Sequence, residues 1–328
     1  KKDDNTDLFV SIPFCPTKCA YCSFITAPID KTRCFLPEYL DCLDKELSAA
    51  QESIGNLRSI YVGGGTPFAL SETELSRVLK GIAPILENCN PNAEYTVEAG
   101  RPDVFTDEKL ALLKEYGVTR ICINPQTFSQ HTLDTIGRRH SVQDIFDVYA
   151  MARQIGFDCI NMDLIAGLPT DSFEGFKHSL DTAISLDPEN ITVHTLAVKR
   201  ASGIGQNSPK IAVENATLAS LMLDYAYDKL SGKYHPYYMY RQSKSAGALE
   251  NVGWAKQGTE CIYNIFMMEE CHTILSCGGG AVTKLKAPKG DEIERIFNFK
   301  YPFEYINDYE ILQNRKKRIT EFYNTYSY

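Results

Sequence analysis

Three cysteines crowd one short stretch, Phe14-Cys15-Pro16-Thr17-Lys18-Cys19-Ala20-Tyr21-Cys22, at intervals of four and then three residues. Three thiolates on a turning loop suit three corners of a cubane iron–sulfur cluster and leave the fourth iron open. Zinc is the competing metal. A tetrahedral zinc site wants a fourth protein ligand, and no nearby His or second Cys-x-x-Cys supplies one, Cys34 and Cys42 being the nearest spares. The chain holds 11 Cys, an odd number, and begins on charged and polar residues, Lys1 to Asp7, rather than on a signal peptide. That usage points to reduced thiols in a cytosolic protein and not to a disulfide framework.

Other residues suited to chemistry recur at regular places. Gly63-Gly64-Gly65-Thr66-Pro67 can bring backbone amides and carbonyls close to a polar ligand. Glu98 ends Tyr95-Thr96-Val97-Glu98, Gln126 follows Ile123-Asn124-Pro125, Arg138 lies in Ile136-Gly137-Arg138-Arg139-His140, and Asp163 sits inside the apolar run Asn161 to Leu168. A buried acid without a partner is costly, so Asp163 is expected to meet a hydroxyl or a cation. His140 and His272 read as structural. Cys261, Cys271 and Cys277, spaced ten and six apart, form no tight pair and read as core thiols rather than a second cluster.

These residues need elements that bring them together. β-rich runs at Leu8–Ile12, Ser59–Val62, Glu94–Glu98, Arg120–Asn124, Cys159–Ile165 and Ile191–Leu196 alternate with helical patterns. The helices are expected at Pro37–Glu52, Glu72–Leu86, Asp107–Tyr116, Val142–Ile155 and Phe173–Ser185, with Ser71 and Glu74 forming a capping box. Six such units imply a parallel sheet with right-handed crossovers, and ligands of such sheets bind beyond the carboxyl ends of the strands. Each motif above does fall just after, or at the end of, a predicted strand. The repeat stops after Leu196, so the expectation is an α/β fold: a partial (β/α)6 TIM-like barrel over residues 1–200. A loop at Lys199–Ser208 leads to a helix at Ala212–Ser231 and a smaller C-terminal α+β cap, residues 201–328, with a strand at His272–Ser276 and a charged terminal helix.

A length of 328 residues allows two domains or one large barrel with an appendage. With 44% hydrophobic and 23% charged residues the composition is that of a folded globular protein. The net charge of −8 argues against a nucleic-acid footprint but permits a local basic pocket, and no apolar run is long enough to span a membrane. The chain starts at Lys rather than Met, which points to a missing N-terminal segment.

The C-x3-C-x2-C spacing with an aromatic before the last Cys resembles the signature of the radical S-adenosylmethionine (SAM) superfamily. The resemblance implies that Cys15, Cys19 and Cys22 ligate a 4Fe-4S cluster whose open iron chelates SAM, that Tyr21 lies against the adenine, and that the Gly63-Gly64-Gly65-Thr66 motif holds the methionine amino group. The cluster would donate one electron, cleave the sulfonium and release a 5′-deoxyadenosyl radical. The further order Gln126-Thr127-Phe128, Ile136-Gly137-Arg138-x-His140 and Asp163-Leu164-Ile165-x-Gly167-Leu168-Pro169 resembles the oxygen-independent coproporphyrinogen III oxidase family, the HemN, HemW and HemZ group. Tyr238-Met239-Tyr240-Arg241-Gln242, Leu249 to Trp254 and Gly278-Gly279-Gly280-Ala281 extend it and look like the HemZ branch.

By that resemblance Arg138 offers a fork for the SAM carboxylate, Gln126 and Asp163 take ribose hydroxyls, and Glu98 accepts from the amino group or ribose. The implied activity is oxidative decarboxylation of coproporphyrinogen III to protoporphyrinogen IX in heme biosynthesis, with a tetrapyrrole substrate and an electron donor such as flavodoxin or ferredoxin. Alternatives are a radical enzyme acting on another tetrapyrrole such as heme, and a heme chaperone. Where the best-studied type carries Tyr, His and a further Cys, this chain has Phe9, Ser11 and Phe24. The stretch Cys261 to Phe266 lacks the His of the chaperone branch. A tetracarboxylate calls for cations at the mouth, for which Lys199, Arg200, Arg241 and Lys244 are the candidates.

Overall fold

A computed structural model describes residues 5–22, 27–197, 209–242 and 245–326, with the side chains of 209–215 and 246 left aside. Six strands, β1 (Asn5–Ile12), β2 (Asn56–Gly64), β3 (Glu94–Gly100), β4 (Arg120–Gln126), β5 (Ile160–Ala166) and β6 (Asn190–Thr195), pair in parallel in that order. They match every strand read from the β-rich runs, with ends shifted by at most a few residues, Cys159 and Leu196 falling just outside β5 and β6. Helices α1 (Leu36–Gln51), α2 (Glu72–Cys89), α3 (Asp107–Glu115), α4 (Gln130–Thr135), α5 (Val142–Ile155) and α6 (Phe173–Leu186) cross over between them, and α7 (Pro209–Leu230) follows β6. Of these, α4 had no counterpart among the expected helices.

Local chemistry sets the helix ends. Ser71 Oγ accepts from the Glu74 amide, and Glu74 Oε2 accepts from the Ser71 amide at 2.8 Å, which closes the capping box of α2. Ser141 and Asp144 repeat the device at α5, and Gly156, with φ 95°, ends that helix in the left-handed conformation. Buried faces such as Leu75, Val78, Leu79 and Ile82 of α2 recur at helical spacing and pack on the sheet.

The C-terminal third extends both edges of the same sheet. Beyond β6 lie β8 (Asn251–Ala255) and then β7 (His235–Tyr240), both antiparallel. On the other side β9 (Thr273–Cys277) pairs in parallel with β1, followed by antiparallel β10 (Val282–Lys286) and β11 (Ile293–Phe297). The eleven strands have β11 and β7 as their edges, so the sheet stays open. Helix α8 (Ile262–Glu269) precedes β9, and the charged terminal segment is three short helices, α9 (Pro302–Asn307), α10 (Tyr309–Lys316) and α11 (Arg318–Tyr326), rather than one.

A buried carboxylate ties this C-terminal part to the barrel. Glu46 of α1 accepts from the Gly278 amide at 2.7 Å, Asn298 Nδ2 at 2.9 Å and Tyr305 Oη at 2.6 Å, with Lys316 Nζ 3.2 Å away. The Gly278-Gly279-Gly280 turn thus works as a clamp beside β1, where Ser11 Oγ donates to the Gly279 carbonyl at 2.7 Å. Removing one member of a buried charged network leaves its partners unpaired, at roughly 3–5 kcal/mol. Glu46→Ala is expected to lower unfolding free energy by about that amount, measured by denaturant titration.

No helix among the described residues is long and apolar enough to cross a membrane. Phe24, Lys199, Arg200 and Lys244, and the loop 199–208, lie outside the described residues.

Candidate cofactor site at the strand ends

The strand order determines which side chains meet. Because β1 to β6 are parallel, their carboxyl ends share one side, and a cavity of about 340 Å³ is lined there by residues of β2 to β6 and by the cysteine loop that follows β1. The cysteine loop leaves β1 and caps it. The Gly65 amide donates to the Ile12 carbonyl at 2.9 Å and the Thr66 amide to the Phe14 carbonyl at 2.8 Å, which stitches the glycine turn after β2 to the chain entering the loop. Further along, the Ala20 amide reaches the Ile136 carbonyl at 3.0 Å. Cys15, Cys19 and Cys22 all face the cavity, and all eleven cysteines are outside disulfides. Thr66 Oγ1 donates to Cys15 Sγ at 3.4 Å.

Glycine is required at two points of the turn. Gly64 has φ 97°, and a Cβ on it would come within 2.8 Å of Ser11 Oγ. A Cβ on Gly65 would come within 2.6 Å of the Ile12 and Phe14 carbonyl oxygens. Gly63 does not line the cavity itself but lies behind Glu98, whose Oε2 is 2.7 Å from the position of a Cβ.

The carboxylates and their partners form the opposite side. Glu98 accepts from Tyr61 Oη at 2.7 Å, and burial pushes its pKa up to about 7. Asp163 accepts from Asn161 Nδ2 at 2.7 Å and stands 3.6 Å from His194 Nε2, while Thr192 donates to Asn161 at 3.0 Å. Burial opposes its ionisation, but these donors prevail and hold its carboxyl below the usual range. The hydroxyl-or-cation partner expected for Asp163 is therefore His194 with Asn161, a pair the sequence did not single out.

Arg138 is arranged differently from a free fork. One terminal nitrogen donates to Tyr21 Oη at 3.0 Å and the other to the Asn124 carbonyl, leaving Nε buried with no partner. Its direct effect is to orient Tyr21, which packs against Ile136, Ile165, Leu168 and Leu196. Burial raises the Tyr21 phenol far above its ordinary value and so keeps it protonated, although Arg138 pulls the other way. Gln126 has φ 70°, a strained conformation for a non-glycine residue, and its Oε1 is buried without a partner, as is Asn124 Oδ1.

Arg101, which no sequence motif marks, also belongs to the site. It is 3% exposed, grips Asp103 with bonds of 2.9 and 2.8 Å, donates to Thr17 Oγ1 and reaches Cys19 Sγ at 4.0 Å. A cation under a loop of thiols is the counter-charge an anionic cluster needs. His140 stands 3.8 Å from Asp103 in the same buried cluster. The remaining candidates lie elsewhere: Arg241 is exposed and paired with Glu250, His272 is paired with Asp7 at 3.2 Å, Cys271 is exposed and Cys277 is buried in the core. Cys261 lines the cavity floor and donates to Glu94 at 3.2 Å.

The radical SAM superfamily model matches residues 9–183, just over half of the chain, and covers the cysteine loop through α6. The chain belongs to the radical SAM superfamily. Among curated relatives, this radical SAM protein is 40% identical over 324 residues to the oxygen-independent coproporphyrinogen-III oxidase-like protein HemZ of Bacillus subtilis, covering 97% of this chain and 64% of that one. It is 38% identical over 198 residues to the heme chaperone HemW of the same organism, covering 58% of this chain and 50% of that one. The chain thus spans less than two thirds of the length of either. Among solved structures, coproporphyrinogen III oxidase HemN of Escherichia coli superposes with a TM-score of 0.72 at 21% identity, over 94% of this chain and 70% of that one, which shows the shared fold.

Superfamily membership implies a 4Fe-4S cluster and SAM, and the residues fit both. The three loop thiols all face the cavity, with Thr66 Oγ1 donating to Cys15 and the buried Arg101 reaching Cys19, a donor set suited to an anionic iron–sulfur group. The buried, unpartnered atoms Asn124 Oδ1, Gln126 Oε1 and Arg138 Nε are the kind that a polar ligand satisfies.

Proposed function

We propose that the protein is a radical SAM oxidoreductase that oxidatively decarboxylates propionate side chains of coproporphyrinogen III to the vinyl groups of protoporphyrinogen IX, in oxygen-independent heme biosynthesis in the cytosol. The observation that carries this reading is the 40% identity to HemZ, which runs along 97% of the chain rather than stopping at the barrel. A flavodoxin- or ferredoxin-type donor would supply reducing electrons.

In this reading Cys15, Cys19 and Cys22 ligate the cluster, with Thr66 and Arg101 as hydrogen-bond and charge partners of the thiolates. The turn at Gly64, Gly65 and Thr66 presents backbone to the amino group of SAM, together with Glu98, for which Gly63 leaves room. Gln126 and Asp163 face the ribose, Tyr21 the adenine, and Arg138 holds Tyr21 while offering only Nε to the ligand. Cluster and SAM together supply a hydrogen-abstracting 5′-deoxyadenosyl radical. The hydrogen comes from the propionate carbon β to the carboxylate, at the ring attachment site, and loss of CO2 and one electron to an acceptor then gives the vinyl group.

Glu98 makes SAM binding sensitive to pH. Its carboxyl is pushed up to about 7, so it is neutral below that pH and anionic above it. A cationic amino group is held by the anion, so SAM affinity is expected to rise with pH up to about 7 and to level off above it, by at most about tenfold per unit. Glu98→Gln is expected to flatten the profile, read by equilibrium dialysis.

Heme chaperone activity is the second reading, favoured by the 38% identity to HemW across 58% of the chain. Anaerobic incubation with reductant, SAM and coproporphyrinogen III separates them. Protoporphyrinogen IX together with 5′-deoxyadenosine supports the proposal. Deoxyadenosine without protoporphyrinogen means another substrate, such as heme, and stoichiometric heme binding without turnover means a carrier.

A further inference from the structure

The tyrosines of β7 enter the cavity at a place the cofactor residues leave unexplained. Tyr237, Tyr238 and Tyr240 all line it. Tyr238 and Tyr240 are two residues apart, hence on one face of the strand, and their rings lie within 5° of parallel with centroids 6.2 Å apart. The partner strand sets this arrangement. Gly253 of β8 is directly opposite Tyr238, and a Cβ on it would fall 1.9 Å from Tyr238 Cε1 and 2.4 Å from Cδ1. The ring therefore occupies the space that a side chain at 253 would fill. Glycine inside a strand weakens it and marks close approach, here by an aromatic ring.

This surface adjoins the cofactor side of the cavity. Tyr240 Oη is 3.4 Å from His194 Nδ1, and His194 Nε2 is 3.6 Å from Asp163 Oδ2. The His194 ring meets the Tyr240 ring edge-on at 69°. One continuous wall thus runs from the acid assigned to the ribose to the two parallel phenols. Among the described residues its arginines already have side-chain partners: Arg101 with Asp103, Arg138 with Tyr21, and Arg120 with Glu94 at 3.2 Å. What Tyr238 and Tyr240 offer a substrate is aromatic surface.

We propose that Tyr238 and Tyr240, with the Tyr238 ring seated against Gly253, form a stacking platform that seats one pyrrole ring of a tetrapyrrole beside the cofactor. The inference rests on the tetrapyrrole reading above. Each pyrrole of such a substrate has its own π face, which pairs with a phenol ring in an offset stack.

The test is binding of coproporphyrin III, followed by fluorescence quenching on anaerobically reconstituted, SAM-loaded protein, with SAM affinity measured in parallel. Tyr238→Leu and Gly253→Ala are expected to weaken coproporphyrin binding about tenfold, whereas Tyr238→Phe stays within about twofold of the native protein and SAM affinity is retained in all three. Undiminished binding by Tyr238→Leu overturns the platform, as does a Tyr238→Phe loss equal to that of Tyr238→Leu. Parallel loss of SAM affinity shows general distortion of the wall and also overturns it. If the native protein binds no coproporphyrin III, the tetrapyrrole reading itself falls and takes the platform with it.

Discussion

Cys19→Ala is expected to leave the protein folded and to abolish radical chemistry, with 5′-deoxyadenosine formation falling by more than about 100-fold and iron content dropping with it. Changing even an outer-shell partner of a metal ligand costs 10–100-fold, and Cys19 is the central member of the trio. It is buried, and Arg101 reaches its thiol at 4.0 Å. With the thiolate gone, Arg101 keeps its two bonds to Asp103, so its charge stays paired and fold stability is expected to change by no more than about 1–2 kcal/mol. Far-UV circular dichroism, iron assay and product chromatography on the same preparation separate loss of the site from loss of the fold. Deoxyadenosine formation persisting at native level in this variant would remove the cluster assignment.

Gly65→Ala is expected to disable the site almost as thoroughly while leaving all three thiols in place. The added methyl would sit 2.6 Å from two backbone carbonyl oxygens, those of Ile12 and Phe14. Neither is the end of a flexible side chain, so the glycine turn and the chain entering the cysteine loop must separate. Separation breaks the Gly65-to-Ile12 and Thr66-to-Phe14 hydrogen bonds and moves Thr66 Oγ1 away from Cys15. Two lost backbone bonds and the forced shift together amount to about 2–4 kcal/mol. Iron retained on reconstitution is expected to drop at least about tenfold, and native iron content in Gly65→Ala would show that the turn does not hold the loop.

Much of this site can be read from order along the chain. Parallel β/α units put every strand end on one side, so Cys15, Gly64, Glu98, Gln126 and Asp163 converge although they lie up to 148 residues apart in sequence. The thiol spacing and the glycine run are local signals, and local signals survive without a structure. Partners that arise only from register do not. Arg101 looks like an ordinary loop cation until folding places it under Cys19, and Tyr61 and His194 gain meaning only because β2 adjoins β3 and β6 adjoins β5. Arg138 shows the complementary error, since its residue type suggests a carboxylate fork while the fold turns both terminal nitrogens to Tyr21 and Asn124. The β7–β8 pair was illegible for a related reason. Pro236 and Gly253 break the strand patterns of His235–Tyr240 and Asn251–Ala255, and only the cross-strand seat of Tyr238 on Gly253 explains why the glycine stands there.

The central claim is that one loop of three thiols after β1, walled by residues of β2 to β6, holds a cluster with one iron open to SAM. Electron paramagnetic resonance of the reconstituted, dithionite-reduced protein, recorded with and without SAM, tests it most directly. The account predicts a reduced 4Fe-4S signal that changes on adding SAM in the native protein and is missing in Cys19→Ala. A cluster signal that SAM leaves unchanged, or a native signal in Cys19→Ala, would contradict it.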